Sequence, residues 1–319
     1  MKIYPLIFKP ILKERIWGGN KLKSLFGKEL ESEQTGESWE LSTVENDSST
    51  IANGIYQDTL FTDLIDEFPK EILGDKVYHQ FGKQFPLLFK FLDASEDLSI
   101  QVHPNDEMAQ KRHNSFGKTE MWYIIQADEN SRNIIGFREK SSSEEYLEKL
   151  KNKELLSILK EEKAVKGDVF FLETGTVHAI GSGIVLAEIQ QTSDITYRIY
   201  DWDRVDDKGN SRELHLDLAL DAINYNPTQT KIDYSKTENK QNTIVESNYF
   251  ITNFIPLNGS LKINKNSDSF RVYMCCEGSF SVFCNNEKYD FKKGDTVLFP
   301  AVLSEYVLEG KAELLEVFI

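Results

Sequence analysis

Short runs rich in Val, Ile, Phe and Tyr recur along most of this chain, each closed off by Gly, Asn, Asp or Pro. A chain interrupted this often suits antiparallel sheets of short strands, as in a sandwich or barrel. The clearest stretch is C-terminal, where segments 271–276, 279–284, 288–291 and 297–300 are separated by Glu277-Gly278, Asn285-Asn286 and Lys293-Gly294-Asp295. Gly and Asn tolerate the positive φ of tight turns, so these segments read as an antiparallel meander.

Helical periodicity is confined to insertions, with no regular β-α alternation, so a parallel α/β sheet is disfavoured. Insertions are expected at residues 59–80 and 138–163. In residues 59–68, Leu60, Phe61, Leu64, Ile65 and Phe68 form one apolar stripe before Pro69. A second helix starts at Ser142, which with Glu145 suits a capping box, and carries Leu147, Leu150, Leu155, Ile158 and Leu159. A third covers residues 214–224, with Leu216, Ala219, Leu220 and Ile223 on one face. All three stripes read as core packing.

At 319 residues the chain can bury two cores. Between residues 226 and 247 the composition turns polar, which suits an exposed linker. The expected organisation is an N-terminal domain over 1–225, a linker over 226–247 and a C-terminal domain over 248–319. Two segments echo each other, Lys166-Gly167-Asp168-Val169-Phe170-Phe171-Leu172-Glu173 and Lys293-Gly294-Asp295-Thr296-Val297-Leu298-Phe299-Pro300. They read either as two copies of one barrel or as the common Gly-Asp turn before a strand.

The balance of 37 basic to 52 acidic residues gives a formal charge of −15, which repels phosphate backbones. Nucleic acid and anionic membrane surfaces are therefore poor partners, and an anionic substrate needs a local basic pocket. Lys2, Lys9, Pro10, Lys13 and Arg15 break up the N-terminal apolar patches, so no secretory or spanning segment is expected there. Cys275, Cys276 and Cys284 lack CxxC spacing and read as reduced, buried packing residues of a cytoplasmic protein.

The residues that carry chemistry lie in the first two thirds. In Ser99-Ile100-Gln101-Val102-His103-Pro104, strand alternation puts Gln101 and His103 on one face. Glu120 opens the strand-like segment Glu120-Met121-Trp122-Tyr123-Ile124-Ile125, and Gly175-Thr176-Val177-His178 brings a second imidazole. Two imidazoles, a carboxylate and an amide oxygen form a mixed donor set suited to Zn²⁺ or another first-row divalent ion. His79, His113 and His215 have no such companions and read as structural or surface residues.

At these residues the chain resembles type I mannose-6-phosphate isomerases, in their short bacterial form. The blocks Leu98-Ser99-Ile100-Gln101-Val102-His103-Pro104-Asn105-Asp106, Gly117-Lys118-Thr119-Glu120-Met121-Trp122 and Gly175-Thr176-Val177-His178-Ala179-Ile180 are similar to the family's signature blocks, in order. So is Glu188-Ile189-Gln190-Gln191-Thr192-Ser193-Asp194-Ile195-Thr196-Tyr197-Arg198-Ile199-Tyr200-Asp201-Trp202-Asp203-Arg204. The resemblance implies a mainly β bicupin fold, two jelly-roll barrels with an inserted helical segment, and one zinc per chain on Gln101, His103, Glu120 and His178. Residues 167–178 also resemble the wider cupin pattern of Gly, five residues, Pro, one residue, Gly, two residues, His, with Glu173 where Pro is usual. Pro300 is present in the second copy but no histidine follows it, so the C-terminal barrel is expected to be structural.

The implied reaction is reversible isomerisation of mannose 6-phosphate and fructose 6-phosphate. Aldose-ketose isomerisation moves a proton between C1 and C2 through an enediol, which needs a base, an electrophile and a phosphate anchor. Arg198 and Lys118 are the cationic candidates on or beside the ligand blocks, and Glu188 is the candidate proton carrier, with a plain Glu188–Arg198 ion pair as the bland alternative. Lys90 and Ser99 are candidate phosphate contacts, Ser99 because it shares the strand face of Gln101. Trp17, in Trp17-Gly18-Gly19, resembles an N-terminal family element near the site. A metal-dependent cupin oxygenase and a non-catalytic sugar-phosphate binding protein are the rival readings. The sequence leaves the oligomeric state open.

Overall fold

A computed structural model describes residues 2–205 and 208–319. Within them the chain is mainly β, built on three large antiparallel sheets. The first runs in the order Lys231–Ile232, Val169–Leu172, Glu120–Ala127, Ile184–Gln191, Leu87–Ala94, Thr35–Leu41, Ile11–Gly19. The second runs Leu159–Lys163, Arg132–Phe137, His178–Ile180, Ile100–Val102, Tyr197–Tyr200. Each is an open path of strands, not a hydrogen-bonded closed barrel. Leu87–Ala94 and Ile184–Gln191 are buried along their whole length, which explains their near-continuous apolar runs.

The third sheet gathers Asn242–Glu246, Ile251–Asn264, Glu305–Phe318, Arg271–Cys284 and Thr296–Phe299, then takes in Leu6–Lys9 and Thr50–Ile51 from the other end of the chain. Leu6 lies opposite Leu298, and Phe8 opposite Ile51. Residues 226–247 contribute Lys231–Ile232 to the first sheet and Asn242–Glu246 to the third.

The expected meander differs at one point. Arg271–Cys284 is a single strand that runs straight through Glu277-Gly278 with no turn, and its register slips by one residue at Cys276, between Cys275 and Glu277. Strand alternation sends Cys276 into one apolar cluster and Cys275 into another, and beyond the slip the faces exchange, so that Phe280 and Val282 join the cluster of Cys275. Asn285 and Asn286 do form the tight turn, at φ 50° and 62°. All three cysteines are free and buried.

The two echoing segments share their hydrogen bonds. Gly167 N–H donates to Ile124 O at 2.8 Å and Ile124 N–H to Asp168 O at 2.9 Å; Gly294 N–H donates to Cys275 O at 2.8 Å and Cys275 N–H to Asp295 O at 2.9 Å. In each, the aspartate Oδ2 caps the backbone N–H three residues earlier, from Val165 and from Lys292.

The first insertion is three short helices, Phe61–Glu67, Pro69–Leu73 and Asp75–Phe81. The second corrects the expectation. Ser142 accepts from Glu145 N–H and starts Ser143–Lys151, but the helix stops there, Lys153 turns to φ 59°, and Leu159–Lys163 is a strand paired with Arg132–Phe137. Edge pairing to that strand replaces the helical continuation that the spacing of Leu155, Ile158 and Leu159 suggested. The third helix is Leu216–Ala222. Asp106–His113, capped by Asn105, has almost no apolar stripe to announce it. Among the described residues no helix is long and apolar enough to cross a membrane.

Candidate metal centre and substrate cavity

Strand register lines up the first row of the site. Gln101 lies opposite His178 on one side and opposite Arg198 on the other, so three adjacent strands of the second sheet present these side chains side by side. His103 follows directly after Ile100–Val102. Gly175 ties the two histidine segments together, because its N–H donates to His103 O at 3.0 Å. At φ +86° and with Ala222 O only 2.8 Å from where a Cβ would stand, that position takes only glycine without strain.

The ligand atoms of His103, Glu120 and His178 all lie within 4.8 Å of one another, and all three residues are buried. Backbone carbonyls fix both imidazoles. His103 Nδ1–H donates to Ile195 O at 2.9 Å, and His178 Nδ1–H donates to Thr176 O at 2.8 Å. Each ring therefore turns its Nε2 lone pair toward Glu120, at 3.5 Å and 3.4 Å from its oxygens. Burial, followed by the Lys118 charge for His103, holds both imidazoles below their ordinary range, so they are neutral at pH 7. Two lone pairs facing a carboxylate repel one another unless a cation lies between them.

Neither Glu120 oxygen has a hydrogen-bond donor of good geometry, although Lys118 Nζ forms an ion pair with it at 3.1 Å. The Gln101 amide lies 3.2 Å from His178 Nε2 through its nitrogen, and a half-turn of that amide brings its oxygen to the same point. The donor set fits a small divalent cation: two neutral imidazole nitrogens, a carboxylate left unsaturated and an amide oxygen.

The first sheet supplies the facing row. Glu188 lies opposite Lys90 on one neighbour and opposite Trp122 on the other, and Lys90 lies opposite Trp39. Lys90 Nζ donates to Glu188 Oε1 at 3.0 Å, and Trp122 Nε1–H to Glu188 Oε2 at 3.0 Å. Burial would push the Glu188 carboxyl up, but Lys90 and Lys118 outweigh it and hold it below the usual carboxylate range. Lys118 is likewise buried, and Glu120 and Glu188 overcome that burial to keep it protonated. The alternative of a plain Glu188–Arg198 ion pair is not realised, since Glu188 pairs with Lys90 and the Arg198 guanidinium donates to Glu213 O at 2.8 Å.

A cavity of about 410 Å³ opens between these rows, lined among others by Trp17, Lys90, Ser99, Gln101, Lys118, Glu188 and Arg198. The proposed catalytic and substrate residues thus share one space. Sequence reading missed Arg15, Glu37, Trp39 and Arg212, which also line it. Glu37 accepts from Trp39 Nε1–H at 2.7 Å and from Arg15 at 3.2 Å and 3.1 Å. These contacts link strands with no local motif. A buried Glu in Gly36-Glu37-Ser38-Trp39-Glu40 was the only signal available. His113 and His215 are structural as expected: His113 Nε2 contacts Tyr197 OH at 2.8 Å, and His215 Nδ1 accepts Arg198 N–H at 3.1 Å. His79 is exposed on the third short helix.

Comparison with known proteins follows the same residues. The model of the type I phosphomannose isomerase catalytic domain matches residues 6–137, and that of the mannose-6-phosphate isomerase cupin domain matches residues 240–319. Mannose-6-phosphate isomerase ManA of Bacillus subtilis (strain 168) is 39% identical over 317 residues, covering 98% of each chain. This chain belongs to the type I mannose-6-phosphate isomerase family. A Streptococcus mutans mannose-6-phosphate isomerase is 34% identical over 98% of this chain and 97% of its own. The crystal structure of the Bacillus subtilis mannose 6-phosphate isomerase superposes with a TM-score of 0.91 at 35% identity, over 99% of both chains. A mutant of phosphomannose isomerase from Salmonella typhimurium shares the fold, with a TM-score of 0.80 at 18% identity over 98% of this chain and 99% of its own. The fold is the cupin-type fold of this family.

Proposed function

We infer that the chain interconverts mannose 6-phosphate and fructose 6-phosphate, by proton transfer between C1 and C2. The observation that carries this reading is Lys118, whose ammonium lies 3.1 Å from Glu120 and 3.2 Å from His103 Nε2 and also acts on Glu188. One buried cation thereby joins the ligand cluster to a buried cavity carboxylate. Family membership leaves neither the oxygenase nor the non-catalytic binding reading favoured.

Glu188 is the proposed proton carrier, since Lys90 and Lys118 keep it ionised inside a buried site. Lys118 and Arg198 are the proposed stabilisers of negative charge developing on the C1 and C2 oxygens. Gln101, His103, Glu120 and His178 are the proposed ligands of one Zn²⁺, which would supply Lewis-acid polarisation of a substrate oxygen. Trp17 would wall the sugar, Ser99 would offer a hydroxyl at its phosphate end, and Lys90 would contact a sugar oxygen while holding Glu188.

We also propose the division read from the sequence: a catalytic cupin unit over residues 1–225, a connection over 226–247 and a metal-free cupin unit over 248–319. The paired Gly-Asp turns and the cupin-domain match over 240–319 support two related halves. A cytoplasmic location is supported by three buried free cysteines. A small sugar phosphate is the proposed partner, with no nucleic acid and no membrane. The test is isomerisation of mannose 6-phosphate in deuterated water. Deuterium entering the sugar at C1 or C2, and none doing so in Glu188→Gln, supports the assignment; undiminished exchange in that variant removes Glu188 from it.

A further inference from the structure

The cavity is charge-balanced except at one end. Arg15 is held by Glu37, Lys90 by Glu188 and Lys118 by Glu120. Arg198 and Arg212 line the same cavity and have no such one-to-one partner among the described residues. Arg212 donates to Asp201 through Nε at 2.7 Å and Nη2 at 2.5 Å, but the same carboxylate also takes Arg204 Nη2 at 2.6 Å. Arg198 donates to a neutral carbonyl, and its buried Nε has no hydrogen-bond partner. Two guanidinium groups thus share one buried carboxylate, and Arg198 lies close enough to feel the charges of all three. Of the other acids near this end among the described residues, Asp194, which lines the cavity, Glu213 and Glu96 are solvent-exposed, and Glu96 reaches Arg204 only at 3.6 Å.

The chain path brings the two arginines together. After Arg198, the segment returns so that His215 N–H donates to Arg198 O at 2.7 Å and Arg198 N–H donates to His215 Nδ1 at 3.1 Å. Arg212 stands three residues before His215 and is delivered to the Arg198 end of the cavity. Asp201 takes its Nε and Nη2 donors and fixes the guanidinium plane. The donors on Nη1 are those a ligand can use. A dianion is the ligand class that such an excess of positive charge selects, and a planar guanidinium suits its oxygens.

We propose that Arg212, fixed by Asp201, anchors the phosphate group of the substrate. This rests on the isomerase reading above. The expected contact is to the phosphate and not to C1 or C2, so its loss should appear in KM and leave turnover largely intact.

The experiment uses metal-loaded Arg212→Ala, Arg212→Lys and Asp201→Asn, each checked for a native circular dichroism spectrum. Losing a charged hydrogen-bonding anchor predicts that Arg212→Ala raises KM for mannose 6-phosphate about 30-fold, with kcat within about threefold of the parent enzyme. Competitive inhibition by inorganic phosphate should weaken in step. Arg212→Lys should recover part of both, and Asp201→Asn should show a smaller change in the same direction. Unchanged KM and phosphate inhibition in Arg212→Ala overturn the proposal, as does a loss confined to kcat. Should Arg212→Ala not fold, Arg212→Lys with parental KM and phosphate inhibition overturns it equally. If calorimetry finds phosphate binding that depends on Arg212 in a parent protein with no isomerase turnover, the anchor stands and the isomerase reading falls.

Discussion

Lys90 Nζ stands 3.0 Å from Glu188 Oε1, with side chains that are 6% and 4% exposed, on directly opposed positions of adjacent strands. Removing one partner of a buried ion pair leaves the other charge uncompensated, which typically costs about 3–5 kcal/mol. Lys90→Met should therefore destabilise the protein on about that scale, measured by urea unfolding at pH 7. It should also raise the Glu188 pKa, because Lys90 is the largest influence holding it down. In the parent, the stability from Glu188 is present above the unfolded carboxyl range and lost as pH falls through its depressed value. The acidic limb of kcat/KM should move to higher pH in Lys90→Met; an unmoved limb would separate Glu188 from the proton transfer.

Metal retention and turnover should come apart by residue. His178→Ala removes a proposed ligand, so metal content by mass spectrometry and activity should fall together. Arg198 lies beside Gln101 but is not a proposed ligand. Arg198→Ala should keep its metal and lose about 100-fold in kcat, the scale of one oxyanion-stabilising donor.

How much of this was legible in the sequence differs by residue. Gln101 and His103 could be read because i and i+2 on a strand share a face, and Glu120 and His178 because they stand in compact motifs. Glu37 and Arg212 could not, because their partners, Arg15 and Asp201, come through tertiary folding and no local spacing encodes the pairing. The place of Leu6–Lys9 beside Thr296–Phe299 was equally hidden, since nothing in a four-residue strand names a partner at the far end of the chain. The helix over residues 143–151 was read too long because a strand with leucine at its start continues the apolar spacing.

Glu37 sets a test of acid stability. Burial alone would raise its pKa, but Lys90 and Arg15, with bonds from Trp39 and Arg15, bring it down to about 2. Its stabilising contribution is therefore complete above the unfolded carboxyl range, near pH 4.5, and is lost as pH falls toward 2. The parent should exceed Glu37→Gln in urea midpoint at pH 7, with the gap narrowing between pH 4.5 and pH 2. A gap independent of pH would mean that the ionised form is not what the fold stabilises.

The seat of Trp17 depends on a missing side chain opposite. A Cβ on Gly36 would lie 2.6 Å from Trp17 Cζ3 and 2.7 Å from Arg15 Cβ. Gly36→Ala must push Trp17 and Arg15 off their positions, at a cost of about 1–3 kcal/mol. It should lower the thermal midpoint and raise KM for mannose 6-phosphate together, whereas a stability loss with KM unchanged would show that Trp17 does not wall the substrate.

The most direct measurement is a coupled assay of fructose 6-phosphate formation from mannose 6-phosphate, on the protein as purified, after chelation, and after zinc is added back. Turnover lost on chelation and restored by zinc is the predicted result. No turnover with metal fully bound would contradict the isomerase assignment, and full turnover after metal removal would contradict the role given to His103, Glu120 and His178.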